Sequence, residues 1–263
     1  MVVSDLHAMD RLAPLPEHFE LLNKEVVEPN PIQRGLNRAY NSLAKEWHEP
    51  DLLISLGDAT GGQDRKQAGT TVISTQPLDQ LNAAANLLER FKARKTIIIR
   101  GSSYHVSVNG LPIEEALAEK LKAIPIGTGN MRSGLKFILE KFGLRIHFAH
   151  HLPTSQTEWF LPTPGAKEGI RLQLQIRKLG HMDAIFRGHS HYFYYQRRRQ
   201  IIVNCPCWVF PGDFLHKKSG EPLTDIGAVR FVLTDKPDEL GKQIHIQEQL
   251  FPIEEANTRV VTV

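Results

Sequence analysis

The chain has 263 residues, of which 41% are hydrophobic and 23% are charged, and this composition excludes a disordered or low-complexity protein. Its 32 basic and 29 acidic residues leave a formal net charge of only +3, so electrostatics alone does not indicate a nucleic-acid-binding protein. No apolar run approaches the roughly 20 residues that span a bilayer, and the N-terminus has no basic region followed by an apolar stretch, so we expect a cytoplasmic protein without a membrane partner.

The first half of the chain alternates strand-like and helix-like segments. A short apolar run stops at Asp5, residues 31–47 show helical spacing, and the apolar run 52–56 follows. A helical pattern over 78–91 and a strand-like run over 95–99 repeat the arrangement. Alternation of this kind predicts parallel strands joined by helical crossovers.

The second half begins with the same alternation and then changes. The pattern predicts helices over 113–122 and 135–142, and strands over 144–149 and 182–186 that continue the first sheet. After these strands the chain becomes β-rich, with turn signals between short apolar runs. We therefore predict a second sheet, largely antiparallel, that is built mostly from residues 193–263.

We expect a single domain that spans residues 1–263, because α/β domains reach this length. The polar, Gly- and Pro-rich stretches 59–77 and 153–169 are predicted to be loops beside a functional site, since both follow a strand end. Cys205 and Cys207 are predicted to be free thiols, because a spacing of two residues does not give the geometry of a disulfide.

Side chains that can bind metal ions follow the predicted strands one after another. They are Asp5 and His7 after the first strand, Asp58 after the second, His105 after the third, His150 and His151 after the fourth, and His189 and His191 after the fifth. Because the carboxyl ends of parallel strands share one rim, we expect these side chains to converge on one pocket. Carboxylates and imidazoles without thiolates suit divalent Mn, Fe, Co, Ni or Zn.

These residues fall into blocks that resemble the calcineurin-like metallophosphoesterases. That family carries Asp-x-His, Gly-Asp, Gly-Asn-His-Asp/Glu, a His that closes a strand, and Gly-His-x-His. The blocks here are Asp5-Leu6-His7, Gly57-Asp58, Gly101-Ser102-Ser103-Tyr104-His105, His150-His151 and Gly188-His189-Ser190-His191. Four of the five blocks match in order, and the altered third block is similar to that of phage and prophage members. A single block would carry little weight, but the ordered set indicates the family.

The resemblance implies a four-layer α/β/β/α sandwich with two mixed β-sheets. It also implies a phosphoesterase that uses two divalent metal ions, with manganese as the first expectation and iron, zinc, nickel or cobalt as alternatives. The implied ligands are Asp5, His7, Asp58 and His191 for one ion, and Asp58, His150 and His189 for the other. A hydroxide held between the two ions would attack the phosphorus of a phosphate mono- or diester.

The third block departs from the family pattern. Where the family has an Asn ligand followed directly by His, this chain has Ser102 and Ser103 before His105. The resemblance carries His105 over as the proton donor to the leaving oxygen, because a longer loop can bring it to the same place. The second ion then lacks one ligand. The candidates for a substitute ligand or a substrate contact are Ser102, Ser103 and His151, with Asn109 as a further candidate ligand.

Other interpretations of the same residues stay open. Strand alternation predicts that His150 and His151 point to opposite sides, and the family pattern favours His150 as the ligand. The altered third block also fits a catalytically weakened protein that binds nucleic acid or a partner on the same fold, and a phage-type DNA nuclease would use the same centre. Retention of Asp58 and His105 argues against a decayed site. The substrate and the oligomeric state are not indicated by the sequence.

Overall fold

The computed structural model describes residues 1–63, 69–108, 111–152, 160–212 and 223–252. The strands are β1 (Val2–Val3), β2 (Phe19–Glu20), β3 (Val26–Val27), β4 (Leu53–Leu56), β5 (Thr96–Ile99), β6 (Ser107–Val108), β7 (Leu111–Pro112), β8 (Ser133–Gly134), β9 (Lys136–Lys141), β10 (Leu144–Ala149), β11 (Ala184–Arg187), β12 (Tyr194–Arg197), β13 (Ile201–Asn204), β14 (Gly227–Leu233) and β15 (Ile244–Leu250). The helices are α1 (Pro31–Glu46), α2 (Pro77–Glu89), α3 (Ser103–Val106), α4 (Ile113–Lys120), α5 (Pro162–Leu174) and α6 (Ile176–Leu179). Within these ranges, no helix combines the length and the apolar character that crossing a membrane requires.

The first sheet has six strands in the order β15-β14-β1-β4-β5-β8. β1, β4, β5 and β8 run parallel, and α1, α2 and α4 connect them as crossovers, as the sequence pattern predicts. β14 pairs antiparallel with β1, so Val2 lies opposite both Ile54 and Val229. β1 is therefore an interior strand, and its carboxyl end lies beside that of β4.

The second sheet has five strands in the order β12-β13-β11-β10-β9. β10, β11 and β13 run parallel, and β9 and β12 are antiparallel strands at the two edges. The chain passes from β10 to β11 through α5 and α6. The carboxyl ends of β10 and β11 therefore also lie side by side.

Three clusters of buried apolar side chains fill the spaces between the layers. One lies between the two sheets and includes Ile54 of β4 and Phe148 of β10. A second joins α1, α2 and α4 to the other face of the first sheet, with Leu36 fully buried in it. The third joins α5 to the second sheet through Leu172 and Ile202. The fold is thus a four-layer α/β/β/α sandwich with two mixed sheets, as predicted.

The division of the chain between the sheets differs from the prediction. We expected strands 144–149 and 182–186 to continue the first sheet and residues 193–263 to build most of the second. Instead β9, β10 and β11 begin the second sheet, and β14 and β15 return to the first sheet beside β1. The prediction was wrong because alternation along a strand shows which face is buried but not which sheet the strand joins.

The predicted helix over 135–142 is also wrong, because this segment forms the edge strand β9. Phe142 and Gly143 both have positive φ, at 53° and 75°, and connect Lys141 to its antiparallel partner Leu144. A two-residue loop with positive φ at both positions suits the twist of a β-hairpin. The run of apolar residues resembled a helix face, whereas the turn after it determines the structure.

Part of the predicted loop 153–169 is the helix α5. Its prolines lie in the first turn, where a missing backbone N–H costs no intrahelical hydrogen bond. A Cβ at Gly165 would lie 3.0 Å from Ile202, and one at Gly169 would lie 3.0 Å from Gln200. The two glycines therefore let α5 approach the second sheet closely. They were misread as signs of an irregular loop.

Candidate metal centre

The carboxyl ends of the parallel strands in both sheets meet at one rim, and the predicted site residues lie there. The first sheet contributes Asp5 and His7 after β1 and Asp58 after β4, and the second contributes the four histidines after β10 and β11. Backbone hydrogen bonds join neighbouring loops along the rim. Asp5 N–H donates to Gly57 O at 3.1 Å, and Gly188 N–H donates to His150 O at 3.0 Å.

Among the described residues, side chains that could bind a metal ion form four groups, and the ligand atoms in each group lie within 4.8 Å of one another. The groups are Asp5, His7 and His191; Asp5, Asp58 and His150; His7, Asp58 and His105; and His150, His151 and His189. The two carboxylates each belong to two groups. The structure thus brings into these groups all six Asp and His residues that the family resemblance assigned as metal ligands, together with His105 and His151.

Five of these residues have a left-handed backbone. Their φ angles are 50° at Asp5, 45° at His7, 49° at Asp58, 72° at His189 and 64° at His191. Non-glycine residues rarely adopt positive φ, although Asp and His do so more often than most residue types. Each such position costs on the order of 1–3 kcal/mol and persists only where the surroundings enforce it. Strain is therefore concentrated in the loops that present the site.

Asp5 links the two sheets through one oxygen and faces the histidines with the other. Its Oδ2 accepts hydrogen bonds from the hydroxyl of Ser4 at 2.5 Å and from the N–H of His189 at 3.0 Å. Its Oδ1 is buried and lies 3.2 Å from His191 Nε2, 3.9 Å from His7 Nε2 and 3.9 Å from His150 Nε2. His7 Nε2 is buried without a hydrogen-bond partner.

Asp58, in the loop after β4, contacts the loop after β5 on one side and His150 of the second sheet on the other. It accepts hydrogen bonds from Ser102 N–H at 2.6 Å and from Ser102 Oγ, which is 3.0 Å from both carboxylate oxygens. His150 Nε2 is 3.1 Å from Asp58 Oδ2. A Cβ at Gly101 would lie 2.0 Å from Asp58 Oδ1, so only glycine fits there.

Strand alternation predicted that His150 and His151 point to opposite sides, and this prediction is wrong. β10 ends at Ala149, so neither histidine is held by the strand pleat. His150 is buried and its Nδ1 donates to Leu56 O at 2.7 Å, whereas His151 is exposed. Both rings nevertheless contact the ring of His189.

The loop after β5 places its three candidates differently. Ser102 is buried against Asp58, whereas Ser103 is exposed at the start of α3. His105 lies on α3, where its Nδ1 is 2.9 Å from Gly61 O. Its ring packs edge to face with that of His7, with the two ring centroids 4.4 Å apart. Asn109 lies outside the described residues.

The carboxylates and imidazoles perturb each other's protonation. Burial lowers the pKa of His150, but Asp58 and Asp5 raise it more strongly, to about 10. Burial raises the pKa of Asp58, yet the opposing charge of His150 holds it well below its usual range. Burial and the neighbouring His105 lower the pKa of His7 well below its usual value. The shifts at Asp58 and His150 are thus two sides of one attraction between a carboxylate and an imidazolium.

Glu114 on α4 is a buried residue beside the site that the sequence analysis missed. Its Oε1 accepts from Ala59 N–H at 3.0 Å and its Oε2 accepts from Gly101 N–H at 2.7 Å. Burial and the charge of Asp58 raise the pKa of Glu114 to about 8. Glu114 and Glu115 at the start of α4 look like the solvated first turn of a helix. Only the position of Glu114 on the buried face of α4 could have drawn attention to this residue.

The sequence matches no protein-family model and no curated protein. Solved structures with a similar chain course include Vps29 from Chaetomium thermophilum, with 15% identity, 95% of this chain and 96% of that chain covered, and a TM-score of 0.46. Zn²⁺-complexed Vps29 from Entamoeba histolytica has 12% identity, covers 95% and 97% of the two chains and has a TM-score of 0.45. An archaeal phosphodiesterase has 14% identity, 95% and 98% coverage and a TM-score of 0.41. With TM-scores below 0.5 this likeness carries no argument, and the fold rests on the sheet order and layers described above.

Proposed function

We propose that the protein is a metal-dependent phosphoesterase. The observation that carries the proposal is the convergence of two carboxylates and six histidines on one rim, where Asp5 Oδ1 is buried against imidazoles and His7 Nε2 is buried without a hydrogen-bond partner. Buried polar atoms are normally paired, and an unpaired one costs about 1–3 kcal/mol. A bound cation would pair with both atoms.

The chemistry of the donors fits divalent first-row cations. Imidazole nitrogens and carboxylate oxygens suit such ions, and the two cysteines are free, buried and outside every ligand group found among the described residues. Asp5, His7, Asp58 and His191 would hold one cation, and Asp58, His150 and His189 would hold a second. When bound, two cations neutralise the phosphoryl oxygens and acidify water.

The chain's own residues supply positioning and proton transfer. Asp58 is placed between the two sets of histidines, and the Ser102 hydroxyl and N–H fix its orientation. Nδ1 of His150 donates to Leu56 O, which leaves Nε2 directed at the site. His105 is placed beside His7, where it would donate a proton to the leaving oxygen of a phosphate ester.

The test is Asp58→Asn, assayed with Mn²⁺ on bis-p-nitrophenyl phosphate and p-nitrophenyl phosphate. Loss of charge on the shared ligand weakens both cation sites at once, so we expect both metals to be lost and turnover to fall on the order of 10³-fold. Asp51→Asn, an exposed carboxylate paired with Arg94, is the matched control and should behave like the wild type. Near-normal turnover and full metal content in Asp58→Asn would contradict the dinuclear site. A wild-type protein that hydrolyses neither ester with any first-row metal would contradict the proposed function.

A further inference from the structure

Three imidazoles cluster where β10 and β11 end. The ring centroids of His150 and His151 are 5.0 Å apart, and that of His189 is 5.2 Å from each of them. The rings meet edge to face at 69° to 74°, and one nitrogen of each lies within 4.8 Å of the others. Nitrogens that share a tetrahedral zinc ion are roughly 3.3 Å apart, so small side-chain rotations would bring all three to one cation.

The cluster is joined to Asp58 through His150. Because Nδ1 of His150 donates to Leu56 O at 2.7 Å, Nε2 is its ligand atom, and that nitrogen lies 3.1 Å from Asp58 Oδ2. A backbone carbonyl that accepts from the other ring nitrogen is the usual support of a metal-binding histidine. His150 thus belongs both to the three-imidazole cluster and to a ligand group with Asp58, and it connects the two.

The serines that replace the family's Asn are poorly placed to act as ligands. Ser102 uses both its N–H and its hydroxyl on Asp58, and a hydroxyl that donates to a carboxylate supports that carboxylate rather than competing with it. Ser103 is exposed at the start of α3. Neither serine therefore supplies the ligand that the second cation lacks.

We propose that His151 is the fourth protein ligand of the second cation, together with Asp58, His150 and His189. The inference rests on the metal centre of the proposed function but not on its catalytic activity. Replacing an amide oxygen by a third imidazole makes the site richer in nitrogen. Imidazole favours zinc, nickel and copper, whereas carbonyl oxygen favours manganese and magnesium. The second site is therefore selective for zinc over manganese to a degree that depends on His151.

The experiment measures metal binding by the full chain after chelator treatment. The protein is dialysed against increasing free Zn²⁺ or Mn²⁺, and the metal content per chain is determined by mass spectrometry. We expect two zinc ions per wild-type chain, and a loss of affinity for the second ion on the order of 100-fold in His151→Ala. His48→Ala, an exposed histidine on the helical side of the molecule, is the matched control and should bind like the wild type.

A second variant and a spectroscopic readout separate ligation from a folding effect. His151→Asn offers an amide oxygen, so it should recover part of the second site's affinity and narrow the preference for zinc over manganese. X-ray absorption of the zinc-loaded protein should show one imidazole ligand fewer per pair of zinc ions in both variants. The circular dichroism spectrum should be that of the wild type.

Two results would overturn the inference: His151→Ala that retains both zinc ions with the affinity of the wild type, or a wild-type chain that binds fewer than two zinc ions. If His151→Ala fails to fold, the metal preference of His151→Asn decides, and an unchanged preference overturns the inference. Failure of the proposed function looks different. In that case the wild type would bind two zinc ions through His151 but hydrolyse no phosphate ester.

Discussion

At the scale of single residues, the left-handed positions explain why Asp and His stand where β1, β4 and β11 end. A β-branched or large apolar residue would strain the backbone there, whereas Asp and His adopt positive φ more readily. Asp5 and His191 therefore meet two requirements, a ligand atom and a tolerated conformation. The sequence shows the first requirement directly but gives no sign of the second.

The proposed role of His105 as proton donor predicts a dependence on the leaving group. His105→Ala should reduce turnover of alkyl phosphate esters on the order of 10²-fold or more, because an alkoxide-like leaving group needs a proton. Nitrophenyl esters, which leave without a proton, should be affected much less. His48→Ala, a change at an exposed histidine outside the site, is the control. Equal losses on both kinds of ester would remove His105 from this role.

Much of the candidate site could be predicted from the sequence because its signals are local. A strand end followed by Asp or His is visible in the chain, and the rim shared by parallel strands brings such residues together. The relation of His150 to His151 could not be predicted, because it depends on how the chain turns after Ala149. Glu114 was missed because its partners are backbone N–H groups, which leave no mark in the sequence, and only its position on the inward face of α4 distinguishes it.

At the scale of elements, α4 fixes two site loops through one side chain. The carboxylate of Glu114 accepts from the loop after β4 and from the loop after β5, which carry Asp58 and Ser102. In Glu114→Gln an amide NH₂ would face one of the two N–H donors, so one hydrogen bond is lost. We expect the free energy of unfolding to fall by about 1–3 kcal/mol.

The same change tests whether Glu114 positions the site. At a temperature where the variant is fully folded, we expect kcat to fall roughly tenfold with KM little changed, because misplacement of Asp58 affects the transition state more than substrate binding. Glu119→Gln, an exposed carboxylate on the same helix, should leave both parameters unchanged. An unchanged kcat in a destabilised Glu114→Gln would show that Glu114 only stabilises the fold.

A buried polar contact lies beneath α5 and makes stability depend on pH. Burial and the charge of Arg187 lower the pKa of His147 to about 3, and Arg187 Nη1 donates to His147 Nδ1 at 3.1 Å. Unfolding restores an ordinary pKa near 6.5, so the unfolded chain binds the extra proton between pH 6.5 and 3. The folded protein should therefore lose stability as pH falls through this window, by up to about 1.4 kcal/mol per pH unit.

Urea unfolding of the metal-free protein at pH 7, 6 and 5 measures this effect. His147→Gln keeps an acceptor for Arg187 but does not titrate, so the wild type should lose stability relative to this variant at each step toward acid. His181→Gln removes an exposed histidine and should track the wild type. Parallel pH profiles for the wild type and His147→Gln would show that His147 is not responsible.

The element types were predicted well where propensity and packing agree and poorly where they conflict. The helices over α1, α2 and α4 have an apolar stripe and a clear end, and the structure confirms them. β9 and α5 were misread because each is specified by a partner: β9 by the turn to β10, and α5 by the close approach of its glycines to β13. Such contacts are long-range and leave only ambiguous local signals.

At the scale of the whole molecule, the predicted order of layers is confirmed but the chain's route through them is not. β14 pairs with β1, and β15 pairs with β14, so β1 lies between β14 and β4 in the interior of a sheet. Neither pairing could be inferred from periodicity. The packing order of strands is fixed by contacts between residues that are far apart in the sequence.

The candidate metal centre lies where the two sheets meet, and this would have a mechanical consequence. Asp5 and His189 are separated by 184 positions along the chain, and they belong to different sheets. A cation held by both sides is a crosslink that closes a very long loop, like a disulfide, and such crosslinks destabilise the unfolded chain most when the loop is long. The ligands of the candidate centre would then also hold the two sheets together at this rim and so stabilise the fold.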